Sequence, residues 1–138
     1  IDASPEQVWA ALADIGGIHQ WNPGVQNSYV TGEQGEGVGA CRHCDLGGKN
    51  YLDEKVVQWR EAEKITFRVM GTNMPFASAD IHFTLYPYNT QTQVVVSPEY
   101  TLKYSVIGKL LDAVMVRRTY QNGMNDLLAG LKTHVEST

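Results

Sequence analysis

From residue 106 to 135 the chain runs without a proline, and Ile107, Leu110, Val114, Met124, Leu128, Leu131 and Val135 recur at three- and four-residue spacing, the period of one helical face. The pattern predicts one long amphipathic helix over 106–135. Its stripe has a polar middle, because a turn of about 100° per residue puts Arg117 and Gln121 on the same face as Val114 and Leu128. A helix lying wholly on packed side chains carries an unbroken apolar stripe, so the gap predicts that this helix covers a cavity. The alternative is that Arg117 snorkels to solvent and Gln121 caps a backbone group.

Between this helix and residue 25 the period changes to two. Alternation and intervening turn residues predict strands over 25–31, 38–46, 51–60, 64–71, 77–86 and 93–103, in the spacing of an antiparallel meander. In the fifth, Ala79, Ile81, Phe83 and Leu85 face one way and Ser78, Asp80, His82 and Thr84 the other, as in a sheet that is wet on one side. A sheet with one dry face and a helix with one dry stripe cover each other. At the start, Ser4-Pro5-Glu6-Gln7 is a helix cap: Ser4 accepts, Pro5 sits where no amide bond is lost, and Gln7 completes a capping box. A short helix to about Asp14 follows, with Val8, Trp9 and Leu12 as its buried edge. Gly16-Gly17 bends the chain into a second helical turn over 18–21, and Asn22-Pro23-Gly24 ends it.

Composition narrows the function without choosing it. At 138 residues and 43% hydrophobic, the chain is sized for one domain over 1–138 with a full core. A net charge of -4, from 11 basic and 15 acidic residues, offers no footprint for nucleic acid or an anionic membrane. No apolar run reaches the roughly 20 residues of a membrane span, and nothing at the start reads as a signal peptide. A soluble, cytoplasmic protein is the expectation, although Ile1 and Asp2 lead straight into the cap and a segment upstream would not be seen.

Cys41 and Cys44 are the only cysteines, and in a strand their Cα atoms stand roughly 10 Å apart, too far to pair. With His43 they suggest a metal site, but zinc needs more ligands and alternation points Cys44 away from the other two. No metal or cofactor is expected. The glycines at 35, 37 and 39 lead into a strand, whereas a dinucleotide fingerprint leads out of one into a helix, so they read as hairpin glycines.

The order of two short helices, a meander and one long C-terminal helix resembles the helix-grip fold of the SRPBCC superfamily. That group includes the START lipid-transfer domains, the birch-pollen allergens, the plant abscisic acid receptors and the polyketide cyclase/dehydratase family. Ser4-Pro5-Glu6-Gln7-Val8-Trp9, Trp21-Asn22-Pro23-Gly24-Val25, Gly37-Val38-Gly39-Ala40-Cys41-Arg42, Tyr51-Leu52-Asp53-Glu54-Lys55-Val56 and Leu128-Ala129-Gly130-Leu131-Lys132 are most similar to the polyketide cyclase/dehydratase branch. The resemblance implies an α+β fold in which a curved antiparallel sheet wraps a long C-terminal helix, the short helices closing one end. It also implies a mostly apolar cavity between sheet and helix that takes lipids, steroids, polyketides or hormones. The family's first strand precedes the cap, and only Ile1 and Asp2 remain of it here.

Strand counting places polar groups in that cavity. With Leu46 opposite Asn50 across Gly47-Gly48-Lys49, Arg42 meets Glu54, Cys44 meets Leu52 and Ala40 meets Val56 on the inner face, while His43 meets Asp53 and Cys41 meets Lys55 outside. A one-residue change in the loop sets Arg42 against Asp53 instead. A buried ion pair is poor evidence of stability; it reads either as a ligand-facing feature, as the abscisic acid receptors imply for the position of Glu54, or as a pair fixing register. The expected ligand-binding set is Arg42, Glu54, Phe67, Val69, Phe76, Ala79, Ile81, Tyr100, Arg117, Gln121 and Met124, with Glu99 and Tyr120 as further polar candidates. His43 and His82 fall on the solvent face, His19 in the second short helix and His134 near the C-terminus, so no general base stands out and no catalytic residue is assigned. The leading expectation is binding of a hydrophobic small molecule; a polyketide cyclase or dehydratase and a co-chaperone-like interaction protein are the alternatives.

Overall fold

The cap folds as its residues dictate: Ser4 Oγ accepts from the Gln7 amide at 3.3 Å, and Gln7 Oε1 accepts from the Ser4 amide at 2.9 Å. Helix α1 (Pro5–Ala13) buries Val8, Trp9 and Leu12, and a 3-10 turn (Ile15–Gln20) buries Ile15, Gly17 and Ile18. In this computed structural model the backbone is described for residues 1–102 and 106–138, and the side chains for 1–101 and 117–138. The expected contacts of Ile107, Leu110 and Val114 lie outside the described residues.

Strands β1 (Asn27–Thr31), β2 (Cys41–Gly47), β3 (Asn50–Arg60), β4 (Lys64–Thr72), β5 (Phe76–Tyr88) and β6 (Gln91–Leu102) form one antiparallel sheet in sequence order, followed by helix α2 (Val106–Glu136). The second strand begins three residues later than the alternation suggests. Gly37 and Gly39 have φ of 81° and 100°, a left-handed backbone incompatible with an extended strand. Before Ser4 the chain runs beside β6: Ile1 and Thr92 exchange two main-chain hydrogen bonds of 2.9 Å, and Thr92 Oγ1 donates to the Ala3 carbonyl at 2.8 Å.

The β2–β3 register is Arg42 to Glu54, Cys44 to Leu52, His43 to Asp53 and Cys41 to Lys55. Its turn differs from the three-residue loop expected. Gly47 pairs with Asn50 across a two-residue turn, and a bulge between Asp45 and Gly47 restores the count; Gly47 and Gly48 supply the positive φ that both features need.

On the inner face lie Arg42, Cys44, Glu54, Val56, Ile65, Phe67, Ala79, Ile81 and Phe83, all buried. The described half of α2 meets this core through Leu127, Leu131 and Val135. The helix comes so close to the Trp21 turn that a Cβ at Gly130 would stand 1.9 Å from the Trp21 carbonyl oxygen. Glycine at 130 is therefore a packing requirement rather than a helix preference.

The outer face carries its own polar layer. His43 lies between two carboxylates, Nδ1 against Asp53 and Nε2 at 2.9 Å from Asp45, and between the rings of Tyr29 and Tyr51. Hydrogen bonding to Asp53, then to Asp45, raises its pKa above the usual histidine value. A raised folded-state pKa gives stability that is fully present below about pH 6.5 and is lost as pH rises through the folded value. Comparing denaturant melts of wild type and His43→Gln is expected to show a difference of about 0.5–1 kcal/mol at pH 5.5, the range of partly exposed ion pairs, shrinking toward zero at alkaline pH.

Candidate functional site

A cavity of about 550 Å³ lies between the inner face of the sheet, the Asn22–Val25 turn and α2, inside the roughly 300–1,000 Å³ range of small-molecule sites. Its walls are mostly apolar: Val69, Phe76, Ala79, Ile81 and Met124 line it, together with Leu52, Phe83 and Leu127.

The polar end is built by β2 and β3. Their register sets Arg42 beside Glu54, each 3% exposed, with Arg42 Nε donating to Glu54 Oε1 at 3.0 Å. Arg42 Nη1 donates to the Ile15 carbonyl at 3.1 Å, and its guanidinium carbon lies 3.8 Å from the centroid of the Phe67 ring. One charged group thereby ties the 3-10 turn to the sheet and rests on an aromatic face. The Cys44 thiol reaches Glu54 Oε1 at 3.7 Å. Burial pushes it up to about 12, with the Arg42 charge opposing and the Glu54 charge assisting, so at neutral pH it is a weak donor and not a thiolate. The second oxygen, Glu54 Oε2, is buried and has no hydrogen-bond partner among the described residues.

Opposite this pair, α2 presents Tyr120. Its ring stacks on Tyr100 at 4.9 Å and meets Phe76 edge-on at 5.7 Å. Burial, and then the negative charge of Glu54, push its phenol above the ordinary tyrosine range, so the hydroxyl stays protonated.

Several expected site residues stand elsewhere. Arg117 and Gln121 are exposed and do not belong to the lining; among the described side chains of α2 that role falls to Thr119, Tyr120, Gly123, Met124 and Leu127. For Gln121 the reason is helical phase; Arg117 lies about five full turns from the buried Val135 and is exposed although in phase with it. Stepping back from Val135 by sevens gives Leu128 and Gln121, but seven residues fall short of two turns by about 20° each time, whereas the true period from Leu131 runs through Leu127, Met124 and Tyr120. Phe67 lies beneath Arg42 rather than in the wall, and Tyr100 backs Tyr120. Asn22, Met74, Pro75 and Thr119 line the cavity and were not foreseen; three of them come from turns, where alternation carries no signal.

One serine–histidine contact has a structural explanation. Ser28 Oγ lies 2.7 Å from His19 Nδ1, but it donates to the Gly16 carbonyl at 2.8 Å and accepts from the His19 amide at 3.1 Å. A hydroxyl whose proton is committed to a backbone carbonyl ties the 3-10 turn to β1 and is not an activated nucleophile.

A curved antiparallel sheet gripping a C-terminal helix over an apolar cavity is the helix-grip, START-like fold. The chain belongs to the family described as polyketide cyclase / dehydrase and lipid transport, which matches residues 1–136. Comparison with curated proteins gives no match. Among solved structures, a Thermus thermophilus protein is similar at 23% identity and TM-score 0.81, covering 99% of this chain and 92% of its own. The Zhui aromatase/cyclase of a Streptomyces species has 17% identity and TM-score 0.80, with 99% and 88% covered. A START superfamily protein of Mycobacterium smegmatis has 17% identity and TM-score 0.77, with 99% and 92% covered. At these identities the likeness is one of fold. No helix among the described residues is long and apolar enough to cross a membrane.

Proposed function

We propose that this protein binds a hydrophobic small molecule in the cavity between sheet and α2, with the ligand's polar end at Arg42, Glu54 and Tyr120. The observation that carries the reading is the cavity itself, large enough for a drug-sized molecule and walled mostly by apolar side chains, with the Arg42–Glu54 pair and Tyr120 among its polar ones. An occluded core serving an interaction surface would leave no such space. The family supports a lipid or polyketide as the kind of occupant. Cyclase or dehydratase chemistry on a polyketide is the second reading, favoured by a carboxylate and a phenol that line the same cavity; product formation from a poly-β-ketone substrate would separate it from carriage.

Gly123 provides the test. It lines the cavity, and no atom of the described residues stands within 4 Å of a Cβ built there. Gly123→Phe should carry a ring from this open Cβ position into the cavity and remove a helix-interior glycine, a change worth a few tenths of a kcal/mol in favour of the helix. Titration with an apolar fluorescent probe is expected to show binding to wild type, and affinity at least about tenfold weaker in the variant, with the melting temperature unchanged or higher. An unchanged affinity would place the probe outside the cavity.

A further inference from the structure

We infer that the molecule held in this cavity carries a neutral hydroxyl, a phenol or an alcohol, at its polar end, and that Glu54 recognises it by accepting its hydrogen bond. The inference rests on the cavity-binding reading and adds to it the chemical class of the ligand.

Charge balance is the first step. Among the described lining residues Arg42 is the only cation and Glu54 the only anion, and each is already neutralised by the other at 3.0 Å. A ligand carboxylate would bring an unbalanced negative charge beside Glu54 into a site that is otherwise apolar, and a ligand ammonium would leave an unbalanced positive charge beside Arg42. Either costs desolvation that the site does not return. A neutral group is admitted without that cost.

Hydrogen-bond capacity is the second step. Glu54 Oε1 already accepts from Arg42 and Cys44, whereas Oε2 is buried without a donor. A buried acceptor left unmatched is expensive, so the group that completes it must donate. A ketone, ether or ester has no hydrogen to give. Tyr120 adds the complementary half: it lines the same cavity, and burial with the Glu54 charge keeps its proton in place. A hydroxyl that donates to Glu54 and accepts from Tyr120 uses both groups, which a pure acceptor or an ammonium cannot do.

The experiment is a calorimetric titration of wild type with four probes of one shape: naphthalene, methoxynaphthalene, naphthol and naphthoate. Naphthol is expected to bind about 10- to 100-fold more tightly than the ether or the hydrocarbon, the worth of one hydrogen bond to a charged group, and naphthoate to bind more weakly than naphthol. In Glu54→Gln the amide oxygen keeps the bond from Arg42 and an NH₂ donor takes the place of Oε2. The advantage of naphthol over the ether is then expected to fall below about threefold, with naphthalene affinity retained and the melt confirming the fold. Should that variant not fold, the wild-type series decides the matter alone. Equal affinity for naphthol, its ether and naphthalene would overturn the hydroxyl assignment while leaving the cavity reading intact. Tightest binding of naphthoate would also overturn it, making Arg42 an anion receptor. No binding of any probe would remove both.

Discussion

Trp21→Ala is expected to lose about 3–5 kcal/mol of stability in denaturant melts, the cost of deleting a large buried aromatic side chain. Trp21 is 6% exposed and belongs to the single core cluster that joins α1, the sheet and α2. Its backbone matters as much as its ring, because the carbonyl occupies the space that any side chain at Gly130 would need. The turn after it is held by the Asn22 side chain, whose oxygen accepts from the Gly24 amide at 2.9 Å. Removing the indole empties the place where α2 is pressed against the short helices, and a close backbone contact on one side leaves little room for collapse to fill it. Trp21→Phe is expected to lose less than half as much: it keeps most of the apolar ring and deletes Nε1, a buried donor with no partner among the described residues. A loss under about 1 kcal/mol for the alanine variant would place Trp21 among ordinary surface residues.

The fold was readable from sequence because two periods, two and 3.6, each mark a dry face over many residues, and two dry faces have one economical arrangement. The Arg42–Glu54 pairing was readable by counting from the Gly47-Gly48 turn, although the turn reached the same count through a bulge. Where the reading went astray, the physics is local. A turn of about 100° per residue puts Arg117 and Gln121 near the face of Val114 and Leu128, but both are exposed and Tyr120 lines the cavity. The buried stripe of α2 centres on Leu127 and Leu131, about 60° or more from Leu128 and Gln121 at the edge. Asn22, Met74 and Pro75 reach the cavity from turns, whose side-chain directions follow individual backbone angles rather than a period. The contact of Arg42 with the Ile15 carbonyl, 27 residues away, has no sequence signature, since any residue there would offer the same oxygen. The Ser28 hydroxyl was overlooked for a related reason: its partners are backbone groups of the 3-10 turn.

Glu54→Leu alone is expected to be among the most destabilising single changes in the chain, costing about 3–5 kcal/mol, because it leaves the Arg42 guanidinium buried with no counter-charge. Replacing both residues by leucine should recover most of that loss. Two desolvated charges disappear together, and buried pairs exchanged for apolar residues of similar volume are often neutral or better. Here the gain is bounded, since Arg42→Leu also strips the Ile15 carbonyl of its donor and the Phe67 face of its cation, the first of which costs about 1–3 kcal/mol. The double variant should therefore melt within about 2 kcal/mol of wild type, well above the single variant. That ordering makes it a usable binding reagent. If the pair orients a ligand, the double variant should keep its affinity for an apolar probe and lose most of its preference for a matched phenol, because the hydrogen-bonding end has gone while the cavity remains. Parallel loss for both probes would show collapse of the cavity, and a phenol preference unchanged from wild type would mean that Arg42 and Glu54 hold the sheet to the 3-10 turn and take no part in recognition.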